Sequence, residues 1–237
     1  MIPALVILYI LLIGLAAGCA LWSFRLRQGY SLGFLKTFHF FVLVSFAYAV
    51  MNYIGEVFAP ALLAGPPEAR IRFYMIVDLV TIPLLGALFY LYFGWIVRLL
   101  GRRVPGGLRA VFVGLEAVYL AAFLAVFISY VVRGVTILTY LGIVIINGIV
   151  ALLLLAAVLV LGFAAPAGGD PERLRLARGL AAVFGAATAV LIAVRAAPRL
   201  VAFPRPEVGA ALPAAVLFLF NIPALLYLSR FFKARPP

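Results

Sequence analysis

The sequence predicts an all-α integral membrane protein, a bundle of seven transmembrane helices forming a single domain over residues 1–237. Three observations predict it. Apolar residues make up 68% of the 237 residues and charged residues 11%, against roughly 45–50% and about 25% in an ordinary soluble domain. The apolar residues fall in seven stretches of the length needed to cross a hydrocarbon core of roughly 30 Å, which takes about 20 residues at ~1.5 Å rise each. Arg and Lys are concentrated in every second loop.

The spans are expected near 2–24, 34–58, 72–98, 109–132, 135–163, 178–202 and 211–232. The first is too long for a signal-peptide core, lacks a basic leader, and has a poor cleavage site at Ala17-Gly18-Cys19-Ala20, so it is expected to be retained as a helix. Cys19, the single cysteine, reads as a small buried helix residue and gives no disulfide or metal cluster. Continuous apolar runs such as Ile143 to Phe163, with no period-two alternation, mark helices rather than barrel strands. Arg133-Gly134 is only a tight turn, which makes the fourth and fifth helices antiparallel neighbours. Asp170-Pro171 supplies an N-cap and a proline at the first helical position, the start of helix six.

Thirteen of the nineteen basic residues lie in the first, third and fifth loops and after the last span: Arg25, Arg27, Lys36, Arg98, Arg102, Arg103, Arg109, Arg173, Arg175, Arg178, Arg230, Lys233 and Arg235. The other six lie toward the opposite side. The excess marks the cytoplasmic side, which puts the N-terminus outside and the C-terminus inside. The formal charge of +12 is then matched by anionic headgroups of membrane lipids, and no direct nucleic-acid contact is expected. Ala, Leu and Arg bias and short loops suggest a bacterial cytoplasmic membrane.

Helices three and seven share a pattern. Pro67-Glu68 and Pro206-Glu207 precede them, and Thr81-Ile82-Pro83-Leu84 and Asn221-Ile222-Pro223-Ala224 interrupt them, at an offset of 139 to 140 residues. Applied to helices one and two, the offset lands on five and six, which suggests a three-plus-one-plus-three parallel repeat. Pro83 and Pro223 each remove a backbone donor and free the carbonyl four residues earlier. They are candidate hinges, with Asn221 and Tyr227 beside the second; a static packing bend is the alternative.

Ionisable groups inside a membrane face the bundle interior and mark function by default. Glu56, Asp78 and Arg195 fall in the outer half of helices two, three and six, and Asn52 shares a face with Glu56. An acidic pair opposed by one Arg suits a small polar or zwitterionic ligand reached from outside, and an inter-helix salt bridge is the structural alternative. Asn147, Glu116 and His39 are the remaining interior polar candidates. His39 is the only histidine and with Glu116 could form a proton relay.

Absences exclude several chemistries. The only lysines are Lys36 and Lys233, so no lysine inside the expected last span, 211–232, can carry a retinal Schiff base. One histidine cannot furnish a zinc hydrolase, no Gly-rich loop with Lys binds a nucleotide phosphate, and no serine sits in a Gly-x-Ser-x-Gly turn. Neither enzymatic activity nor a cofactor is expected.

The topology and the segment Phe220-Asn221-Ile222-Pro223-Ala224-Leu225-Leu226-Tyr227-Leu228-Ser229-Arg230-Phe231 resemble the seven-helix sensor regions of bacterial histidine kinases and membrane-bound LuxR-type regulators. That resemblance implies a receptor for a small outer ligand, coupled to a cytoplasmic output domain or partner, with a homodimer also open. The families continue into an output domain where this sequence reaches Pro237. A small-solute transporter or channel built on the duplicated triple is the second reading. A structural subunit of a membrane complex is the third.

Overall fold

A computed structural model describes residues 2–54, 67–103, 106–133, 152–200 and 206–233. Every regular element among them is helical. The α-helices are α1 (Ile2–Gly29), α2 (Gly33–Tyr53), α3 (Pro67–Leu99), α4 (Gly106–Arg133), α5 (Leu152–Phe163), α6 (Pro171–Leu200) and α7 (Pro206–Lys233). Two of them are long and apolar enough to cross a membrane by length and composition, at Tyr9–Gly29 and Gly33–Met51.

Each expected helix is present where it is described, with described ends a few residues from the expected spans; the expected start of helix five near residue 135, and Gly134 of the turn before it, lie outside the described residues. Helix α6 begins at Pro171, as Asp170-Pro171 predicts, seven residues ahead of the apolar span near 178–202. The reason is local. Asp170 Oδ1 accepts the backbone N–H groups of Glu172 at 2.9 Å and Arg173 at 3.3 Å, satisfying donors that a helix start otherwise leaves orphaned. Pro171 takes the first helical position, and the helix therefore starts in the polar loop, ahead of the apolar span. Helical backbone also continues through Pro83 and Pro223.

Helix α1 packs on α2 and α7, α2 on α3, α3 on α4 and α6, and α7 on α6 and α2. The short α5 lies on α6, with Val158 Cγ1 3.5 Å and Ala181 Cβ 3.8 Å from where side chains would grow at Gly185 and Gly162. One large core runs between these helices, centred on Phe38, Tyr92, Trp95, Leu161, Leu180, Phe184 and Leu225, each no more than 2% exposed. Its aromatic members meet at angles that suit ring quadrupoles: Phe38 on Trp95 at 5.5 Å edge-on, Tyr92 on Phe184 at 5.3 Å edge-on, and Phe41 stacked on Tyr92 at 5.4 Å. A smaller cluster of Tyr9, Leu12, Ala16 and Ala49 ties α1 to α2.

The outside of the bundle is apolar too. On α1, Ile7, Ile10, Leu11, Leu15 and Leu21 are more than half exposed while Tyr9, Leu12, Ala16, Cys19 and Ser23 are buried. Both faces of that helix are thus hydrophobic, unlike the surface helix of a soluble domain. Val111, Val113, Val118 and Ile128 on α4 and Leu152 and Phe163 on α5 are exposed in the same way.

Candidate functional site

The loops expected on one side do gather at one end of the bundle. The α1–α2 turn, the end of α3, the start of α6 and the end of α7 meet around a cleft of about 430 Å³. Local bonds fix its walls. Leu100 C=O accepts the Ala167 N–H at 2.8 Å, and the Arg102 guanidinium donates to Ala165 C=O at 3.2 Å, which joins the α3–α4 and α5–α6 loops. Gly101 makes this closeness feasible: its φ is +73°, and a side chain there would meet the Arg173 guanidinium at 2.5 Å. Arg98 donates to Thr37 Oγ1 at 2.8 Å, and Arg173 pairs with Asp170 at 3.1 Å.

Contacts from the α1–α2 turn and from α6 dock α7 at this end. Tyr30, in the α1–α2 turn, donates its hydroxyl to Phe232 C=O at 3.1 Å and stacks on the Phe232 ring at 4.5 Å. Tyr227 lies against Gly179 on α6 and donates to the Arg175 carbonyl at 3.4 Å. The Asn-Pro-Tyr segment thus ends in a junction between the first turn and the sixth helix.

Above that junction the packing leaves polar atoms without partners. Tyr92 Oη and Trp95 Nε1 on α3, Thr188 Oγ1 on α6, and Asn221 Oδ1 and Ser229 Oγ on α7 are buried and hydrogen-bonded to no described residue. Phe184 sits among four of them: its ring contacts Tyr92, Trp95 and Phe220, while Thr188 lies one turn along its helix and Asn221 follows Phe220. An unpaired buried polar group costs about 1–3 kcal/mol, so this layer holds several unmade interactions.

His39 is buried and shares a 2.8 Å hydrogen bond between its Nδ1 and Ser23 Oγ on α1. Ser23 and Thr37 went unnoticed in the sequence, yet a signal exists: Ser23 and His39 stand equally far from Ser31 at the α1–α2 turn, the condition for facing one another in a helical hairpin. Asn221 is buried at 2% exposure, Tyr227 and Pro223 are half-buried, and Pro83 is exposed.

The expected outer site is placed only by its backbone. Asn52, Asp78 and Arg195 belong to α2, α3 and α6, and α3 packs on both of the others. Their side chains, that of Glu116 on α4, and Glu56 and Asn147 altogether lie outside the described residues.

No family model, curated protein or solved structure matches the chain. Function must therefore be argued from residues and geometry.

Proposed function

We propose that the chain is a seven-helix membrane sensor. It takes a small polar ligand at Asn52, Glu56, Asp78 and Arg195 from the outer side and passes the signal through α7 to a cytoplasmic output domain or partner. Membrane embedding is supported by apolar residues exposed on both faces of α1 and around α4 and α5, since exposed apolar surface of that extent is not stable in water. The collection of Arg and Lys at the opposite end from the outer candidates supports the orientation.

The observation that carries the sensing function is the layer of unpartnered polar atoms on α3, α6 and α7, one of them in the same turn as Pro223. A packing that leaves Asn221, Thr188 and Tyr92 unsatisfied is poised against a second one that satisfies them. A ligand that prefers the second packing shifts the population toward it. Pro223 lowers the resistance of α7 to that shift because its turn already lacks one backbone bond. The junction with Tyr30 and Gly179 is where the movement reaches the inner face.

Spin labels at Lys36→Cys and Lys233→Cys in a Cys19→Ala background test this. Both lysines are exposed, one on α2 and one at the end of α7. The sensor reading expects two distance populations in lipid nanodiscs and one in Asn221→Leu. A single unchanged population in both proteins contradicts it.

The transporter reading has one observation in its favour. Exchanging the triples α1–α2–α3 and α5–α6–α7 converts the α3–α6 contact into the α7–α2 contact, and both occur. At the repeat offset, Thr81 and Asn221, Leu88 and Leu228, and Tyr92 and Phe232 are all buried pairs. Against an open channel stands the aromatic layer of Phe38, Tyr92, Trp95 and Phe184, which fills the centre of the bundle. Solute flux into liposomes that Asp78→Asn abolishes would favour transport over sensing.

A further inference from the structure

We infer that the cleft at the basic end binds the phosphodiester headgroup of an anionic phospholipid, which clamps the end of α7 against α3. This rests on the membrane-embedded reading above.

The cleft combines two chemistries that a lipid headgroup joins in one molecule. Arg98, Arg102 and Arg173 line one part of it, and Leu99, Phe231 and Phe232 another. Among the described residues each arginine is held by one bond, to Thr37, Ala165 and Asp170 respectively, which leaves other donors of each guanidinium to a guest. Asp170 and Glu172 also line the cleft. The Asp170 carboxylate is already occupied by Arg173 and by two backbone N–H groups of α6, and three arginines against two carboxylates leave the cleft with a net positive charge. Guanidinium forks match phosphate oxygens geometrically.

Position argues for a lipid over a soluble anion. The exposed Leu32 of the α1–α2 turn lines the cleft, and the loop that leads into α6 and Arg173 follows the exposed Phe163 at the end of α5. Phe231 and Phe232 at the exit of α7 line the cleft. A basic pocket between helices at the cytoplasmic headgroup level is the setting in which anionic lipids are retained.

The test uses the full chain in nanodiscs of phosphatidylcholine with and without phosphatidylglycerol, followed by native mass spectrometry of retained lipid. Wild type should retain phosphatidylglycerol, and Arg98→Gln/Arg102→Gln should lose about tenfold of that retention. The control Arg25→Gln/Arg230→Gln, which removes two basic residues outside the cleft, should retain it as wild type does. Equal retention of the two lipids by wild type, or no loss in the cleft variant, overturns the proposal. Displacement of the lipid by inorganic phosphate at equal concentration would make the site one for a soluble anion and overturn it too. Failure of a folded chain to enter nanodiscs would overturn the membrane reading itself, an outcome distinct from these.

Discussion

Gly179 of α6 lies so close to the ring of Tyr227 on α7 that a Cβ at residue 179 would overlap the phenol. The Tyr227 hydroxyl meanwhile reaches the Arg175 carbonyl one turn earlier. The absence of a side chain at Gly179 is therefore what lets α6 and α7 close at the basic end.

Gly179→Ala should destabilise the protein by about 1–3 kcal/mol through overpacking. Tyr227→Ala should relieve the clash, so the double variant should lose less than the two single losses combined. Thermal unfolding of the four proteins in one detergent checks this, and additive losses would mean that the two residues do not meet.

Ser23→Ala should cost about 1–3 kcal/mol because it leaves the buried His39 Nδ1 without its partner. Ser45→Ala should cost less. Among the described residues Ser45 Oγ bonds only the Phe41 carbonyl of its own helix, a group that helical geometry satisfies without it. The comparison separates an inter-helix bond from a local one by the same unfolding measurement.

The core and the outer surface should respond oppositely to truncation. Trp95→Ala, at a residue 1% exposed, should cost about 3–5 kcal/mol. Phe163→Ala, at one 86% exposed, should stay within about 0.5 kcal/mol. A large loss at Phe163 would place that residue inside an interface.

Asn221→Leu should stabilise the protein by about 1–3 kcal/mol, since it replaces an unpaired buried carbonyl with an apolar group of similar size. The same change should suppress the second packing of α7 in the spin-label measurement. Under the proposed sensor function, stabilisation would come at the expense of signalling.

Much of the helical layout was legible in the sequence because apolar runs are its dominant pattern. Asp170-Pro171 gave the start of α6 because capping is a short-range matter of one side chain and two N–H groups. The gathering of Arg98, Arg102 and Arg173 followed from loop parity alone. What could not be read were contacts that depend on how helices rotate about their axes. The continuously apolar α1 gives no face preference, so only its distance from the α1–α2 turn, equal to that of His39, singles out Ser23 as the partner of His39. The expected pairing was with Glu116, whose side chain lies outside the described residues. The absence of partners at Tyr92, Trp95 and Thr188 was equally illegible, because it results from aromatic packing around Phe184.

The central claim is that the chain crosses a membrane seven times with its basic end on the inner face. Single cysteines at Gly65, Arg103, Ala167 and Arg205 in a Cys19→Ala background, probed by an impermeant maleimide on sealed vesicles of known orientation, test it most directly. The account predicts that Gly65→Cys and Arg205→Cys react from outside and Arg103→Cys and Ala167→Cys only from inside. Reaction of all four from one side would contradict it.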